Sequence, residues 1–264
     1  MSGRGLTPLL EVRDLVLAFG GLTAVDHLSF GVHAGEVLAL IGPNGAGKTS
    51  VLNAVTRVFP PGGGAVLFEG RDLAALPREA VAGLGLARTF QNIELFEGAT
   101  VLDNLLLGRH RFGHGAWWRQ VLRLPGAVAA EEASRAAVEA VIEFLELSPY
   151  RNLPVGGLPY GVRKVVELGR ALATGPKLLC LDEPASGLNP EETRELAFRI
   201  DDLRNDWGLT VVMVEHDMAL VSAVADRVIC MAQGRALAEG TPAQVQNHPA
   251  VQEAYLGVAP GAGA

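Results

Sequence analysis

A chain of 264 residues, 49% hydrophobic and 19% charged, has room for one large domain or two modest ones and enough apolar material for a real core. Its formal net charge of -7 would repel a phosphate backbone, which removes the electrostatic footprint of nonspecific nucleic-acid binding. No apolar run approaches the roughly 18 residues of a membrane span, and the opening MSGRGLTPLLEVRDL lacks the basic-then-apolar order of a secretory signal, so the chain is expected in the cytosol, touching membranes only peripherally. Cys180 and Cys230 lie inside the apolar runs LLCLD and VICMA and read as small buried hydrophobes, with neither the compartment for a disulfide nor the paired spacing of a zinc site.

Residues 10 to 41 predict short strands divided by turns: alternating LEVRDLVLAF, then LSFGV, then the continuous run VLALI. A glycine-rich loop follows, then a helix from Thr49 to about Val58 stopped by Phe59-Pro60-Pro61-Gly62, then a hairpin over Ala65 to Leu73. From about 91 to 165 the strand signal fades, and helical patterns appear in TVLDNLLLGRH and AAEEASRAAVEAVIEFLEL, which predicts a helical insert. Trp117 and Trp118 lie between these helices and read as packing of that subdomain or as a contact patch. Beyond Gly161, helix (VRKVVELGRALAT), strand (LLCLD), helix (Asn189 to about Asn205), strand (LTVVMV), helix (Asp217 to Ala225) and strand (RVICMA) alternate, the signature of a parallel sheet. The small residues of 258–264 predict a disordered tail after a domain of 1–257.

Chemistry is carried first by Gly42-Pro43-Asn44-Gly45-Ala46-Gly47-Lys48-Thr49, with Ser50 behind it, which fits G-x-x-x-x-G-K-[ST] between a strand and a helix. Glycines let the backbone curl its N–H groups toward phosphates, the helix N-terminus adds a favourable dipole, Lys48 reaches the terminal phosphates and Thr49 can ligate magnesium. The apolar strand Leu178 to Leu181 ends in the adjacent carboxylates Asp182 and Glu183, at the sheet edge where nucleotides bind in this architecture. Asp182 is the expected magnesium ligand, and Glu183 the expected general base for an attacking water. Asn189-Pro190-Glu191-Glu192 also reads as a capped helix start.

With these residues in place, the chain resembles the ATP-binding-cassette (ABC) ATPases along nearly its whole length. The resemblance implies an α/β P-loop nucleotide-binding domain with a mixed sheet, an antiparallel β subdomain and a helical subdomain, using ATP and Mg2+. It implies that Phe19 stacks on adenine, that Gln91 senses magnesium and couples to membrane subunits, and that His216 contacts the γ-phosphate; read singly, these are a core Phe and two polar residues. The family's signature L-S-G-G-Q aligns with Leu158-Pro159-Tyr160-Gly161-Val162, in which Gly161 still offers a helix N-terminus to phosphate. Pro159 supplies neither the hydroxyl nor the N–H of the usual serine, which predicts a weakened composite site. Ser186-Gly187-Leu188-Asn189 aligns with the segment that crosses the family's dimer interface.

GLARTFQNIELFEGATVLDNLLLGRH, the LPYG signature and EGTPAQVQNHPAVQEAYLG resemble in particular the larger ATPase of branched-chain amino acid importers. That resemblance implies a peripheral subunit on the inner face of the cell membrane, partnered by two transmembrane permease subunits, a second ABC ATPase and, indirectly, a solute-binding protein. An ABC system for another solute such as urea or amides, and a soluble ABC switch ATPase, are the alternatives; the single cassette without sustained heptads counts against the latter.

Overall fold

The computed structural model describes residues 7–89, 93–109 and 125–256. Strands β1 (Leu10–Phe19), β2 (Leu22–Val32), β4 (Gly63–Phe68) and β5 (Arg71–Asp72) form an antiparallel sheet in the order β2-β1-β4-β5. Strands β3 (Val37–Ile41), β6 (Leu86–Arg88), β7 (Leu178–Asp182), β8 (Thr210–Val214), β9 (Arg227–Ala232) and β10 (Arg235–Gly240) form the second sheet, in the order β10-β9-β3-β8-β7-β6. All its pairings are parallel except that of β10 with β9. The predicted strand, glycine-rich loop, helix and later strand-helix alternation are therefore present, and the sheet is mixed.

The central strands read as unbroken apolar runs because both of their faces are covered. Val37, Ala39 and Ile41 enter one core with Leu179, Leu181, Val211 and Met213. Leu38 and Leu40 enter the other with Cys180, Val212 and Val214. The first core is closed by helices: α3 (Val101–Gly108), α4 (Pro125–Phe144), α5 (Tyr160–Ala173), α6 (Pro190–Asn205) and α7 (Met218–Val224). The second is closed by the antiparallel sheet and by α1 (Lys48–Val55). Side-chain period 2 thus fixes which layer each residue serves.

Helix ends follow local chemistry. The Asn189 side chain accepts the N–H groups of Glu191 and Glu192 at 2.9 and 3.0 Å, and Glu192 returns a bond from the Asn189 N–H, so the predicted capping box is formed. Asp217 caps α7 by accepting from Ala219 and Leu220. Helix α1 ends at Val55, earlier than the expected Val58, because the chain turns at Arg57 into positive φ. Short α2 (Arg78–Gly83) precedes β6, and α8 (Pro242–Gln246) and α9 (Pro249–Leu256) follow β10. No helix among the described residues is long and apolar enough to cross a membrane.

Candidate nucleotide site

Strand β3 delivers Gly42–Thr49 at its carboxyl end, and α1 begins at Lys48. Gly42 has φ 141°, and a methyl on it would lie 2.1 Å from the Met231 carbonyl oxygen, so only glycine lets the loop leave β3 against β9. Lys48 is 7% exposed and folds back, its Nζ donating to the carbonyls of Gly42 at 2.7 Å and Pro43 at 3.1 Å. Burial lowers its ammonium below the ordinary 10.5, against the opposing pull of Glu183, Cys230 and Asp182. A phosphate in the loop would replace two neutral carbonyl partners with a charged one.

Across the loop, β7 presents Asp182 with Oδ1 3.5 Å from the Thr49 hydroxyl. Its Oδ2 accepts from Arg88 at 2.6 Å. The same guanidinium donates to Asn53 Oδ1 at 2.7 Å and Thr56 Oγ1 at 3.2 Å, binding β6, α1 and β7 together. Glu183 follows with φ 49°, an unusual left-handed conformation for a residue with a side chain, held by its N–H on the Val214 carbonyl at 2.9 Å. His216 is exposed just beyond β8.

The other expected residues are distributed around this centre. Phe19 ends β1 at 41% exposure and meets Phe59 edge to face, ring centroids 5.2 Å apart, so it is a surface aromatic and not a core one. Gly161 lies in the first turn of α5, backed by the Glu192 carboxylate. Pro159 is the N-cap of α5 and gives it no side-chain bond. Tyr160 is exposed, and its ring lies so close over Gly187, whose φ is 80°, that a methyl there would sit 2.8 Å from Tyr160 Cε1. Lys164 on α5 reaches toward the Glu183 carbonyl at 3.4 Å. Gln91, Trp117, Trp118 and the tail 258–264 lie outside the described residues.

Three participants were not anticipated. Arg88 sits on a three-residue strand too short to show periodicity, its only signal being a cation just before Gln91. Glu215 is fully buried beside His216. Tyr255 on α9 comes close to the Gly42 backbone, and burial raises its phenol above the ordinary value. Among the described residues no cluster of three or more His, Cys, Asp or Glu side chains gathers as a metal centre. Oxygen donors from Thr49 and Asp182 nonetheless face one another, as a hard divalent cation shared with phosphate requires.

The family model described as ABC transporter matches residues 25–186, and that described as branched-chain amino acid ATP-binding cassette transporter matches residues 237–260. The chain is 40% identical over 252 residues to the high-affinity branched-chain amino acid transport ATP-binding protein LivG of Escherichia coli K12, covering 96% of this chain and 99% of the relative. It is 40% identical to BraF of Pseudomonas aeruginosa, a protein of the same description, over 255 residues with the same coverage. A crystal structure of the ADP conformation of an ATP-binding cassette of an ABC transporter superposes with TM-score 0.83 at 30% identity, covering 96% of this chain and all of that one. A nucleotide-free cassette from an ABC transporter gives TM-score 0.82 at 31% identity, over 94% of this chain and 98% of that one.

Proposed function

The chain belongs to the ABC transporter family and is one of its transport-powering ATPases, and from that premise we propose that it energises an importer for branched-chain amino acids. The observation that carries the ATPase mechanism is the phosphate loop Gly42–Thr49 facing Asp182 across the carboxyl edge of the sheet. The solute is read from the similarity of the whole chain, since nothing in a nucleotide site contacts it.

In this reading Phe19 offers its exposed face to the adenine ring, and backbone N–H groups of residues 44 to 50 orient the phosphates, Pro43 shaping the loop without donating. Lys48 exchanges its carbonyl partners for the terminal phosphates. Glu183 accepts the proton of the attacking water, and His216 steadies the γ-phosphate. Thr49, Asp182 and Gln91 would hold Mg2+, which when bound neutralises phosphate charge. Gly161 at the start of α5 would meet the γ-phosphate bound to a second cassette.

The helical region of about 91–165 is the lobe we assign to permease contact. A groove at the border of this lobe supports this: α3 contributes exposed Leu107, and Val81, Leu86, Arg170 and Thr174 from outside the lobe complete the lining. The complete assembly would comprise two transmembrane permease subunits, this chain paired with a related ATPase, and a solute-binding protein on the far side. This chain would sit peripherally on the cytoplasmic face.

Uptake assays decide the solute. Proteoliposomes holding the chain with the permeases of its own system should accumulate labelled leucine, isoleucine or valine in an ATP-dependent way. Transport of urea or short amides with no leucine uptake would overturn the assignment, and ATPase activity indifferent to any permease would favour a soluble switch.

A further inference from the structure

The turns after β7 and β8 close onto one carboxylate. Glu215 is fully buried. Its Oε1 accepts the Ala185 N–H at 2.8 Å, a bond to a turn 30 residues away in sequence. Its Oε2 accepts the N–H groups of His216 at 2.8 Å and Asp217 at 3.1 Å. Its own N–H donates to the Leu40 carbonyl at 3.2 Å, on the strand that enters the phosphate loop. A buried carboxylate must be compensated. A local structural acid would be satisfied within its own turn, whereas this one divides its oxygens between two turns. One holds Glu183 two residues before Ala185, and the other holds His216. The Lys164 ammonium on α5 adds opposite charge nearby.

We infer that Glu215 is a positioning residue for ATP hydrolysis, fixing the spacing between the Glu183 turn and the His216 turn without helping to hold the nucleotide. The inference rests on the roles proposed above for Glu183 and His216. A glutamine at 215 keeps the shape but replaces one oxygen with an amide, so in either orientation N–H faces N–H in one of the turns.

Glu215→Gln is therefore expected to lower kcat roughly 10- to 100-fold, the cost of misplaced reacting groups, while the dissociation constant for ATP stays within about threefold. Hydrogen exchange should show protection lost at Ala185, His216 or Asp217 and retained at Val51 and Leu52 of α1. Leu203→Ala, in the buried face of α6 away from the turns, serves as a destabilised control and should keep normal kcat per folded molecule. Unchanged kcat, unchanged protection at all three amides, or an equal loss of kcat in the control would each overturn the inference. If the glutamine variant does not fold, native-state exchange of the unaltered chain decides it: the three amides opening as one unit supports the clamp, and independent opening overturns it. Normal turnover by Glu183→Gln would instead reject the assigned base, leaving the exchange result to judge the clamp alone.

Discussion

The Arg88 guanidinium and the Asp182 carboxylate form an ion pair at 2.6 Å in which both side chains are nearly sealed from water, 7% and 2% exposed. A buried pair of this kind contributes little net stability over an apolar one, but losing one partner strands the other. Arg88→Ala should therefore cost about 3–5 kcal/mol in chemical denaturation. Arg88→Lys should fall between, since a single ammonium cannot serve Asp182, Asn53 and Thr56 together in the guanidinium's fork geometry. A wild-type denaturation midpoint for Arg88→Ala would mean that Asp182 finds another partner.

Lys48→Ala should weaken ATP binding by about 10- to 150-fold, the equivalent of 1.5–3 kcal/mol for hydrogen bonds to a charged group. Equilibrium titration checks this. The unliganded chain should also show a pH effect. Because folding lowers the Lys48 value below 10.5, the unfolded chain binds more protons there between the two values, and the Lys48 contribution to stability must rise with pH across that window. Lys164 is lowered by burial in the same direction. Cys180 and Cys230, pushed up by burial to about 12 and about 11, act in the opposite direction over the same range. The lysine contribution is therefore read by difference: Lys48→Met and Lys164→Met should each make the denaturation midpoint fall more steeply toward pH 10 than it does in the unaltered chain.

Glu183→Gln should retain ATP binding and lose turnover by about 10²- to 10⁴-fold, the usual contribution of a general base. Phosphate release under saturating ATP measures it. Hydrolysis at the unaltered rate would place the base elsewhere.

Pro159→Ser should tighten ATP-dependent association with a second cassette, because serine restores both a hydroxyl and an N–H at the start of α5. It also supplies the missing N-cap, worth about 0.5–2 kcal/mol to the helix. Sedimentation with and without ATP separates the two effects, since a cap alone raises stability in both conditions. No change in association would show that the helix N-terminus at Gly161 suffices.

Much of this was legible because it is local. The phosphate loop, the carboxylates ending β7 and the Asn189 capping box each lie within a few consecutive residues, so spacing alone exposes them. The central strands were legible as strands but not as to face, since a residue buried on either side leaves no alternation to read. Strand β6 is three residues long, and β10, RALAEG, is largely exposed, so neither carries a hydrophobic pattern. Arg88 with Asp182, Glu215 with Ala185, and Tyr255 with Gly42 are contacts between distant residues, and their meaning arises only when the sheet brings them together. Glu215 in particular sits in the apparently apolar run before His216, where one acid reads as a strand end.

The Tyr160 ring lying over Gly187, with the Glu192 carboxylate backing Gly161, joins the start of α5 to the turn that leads into α6. Neither segment can shift without displacing the other, so a second cassette would encounter one preassembled edge and not two independent loops. Much of the conformational entropy that association ordinarily removes has then already been surrendered during folding. If a second cassette docks on this face as proposed, affinity there would be set by the fit of the edge to the incoming nucleotide, and substitutions that loosen Tyr160 from Gly187 should slow docking even when every phosphate-contacting group is intact.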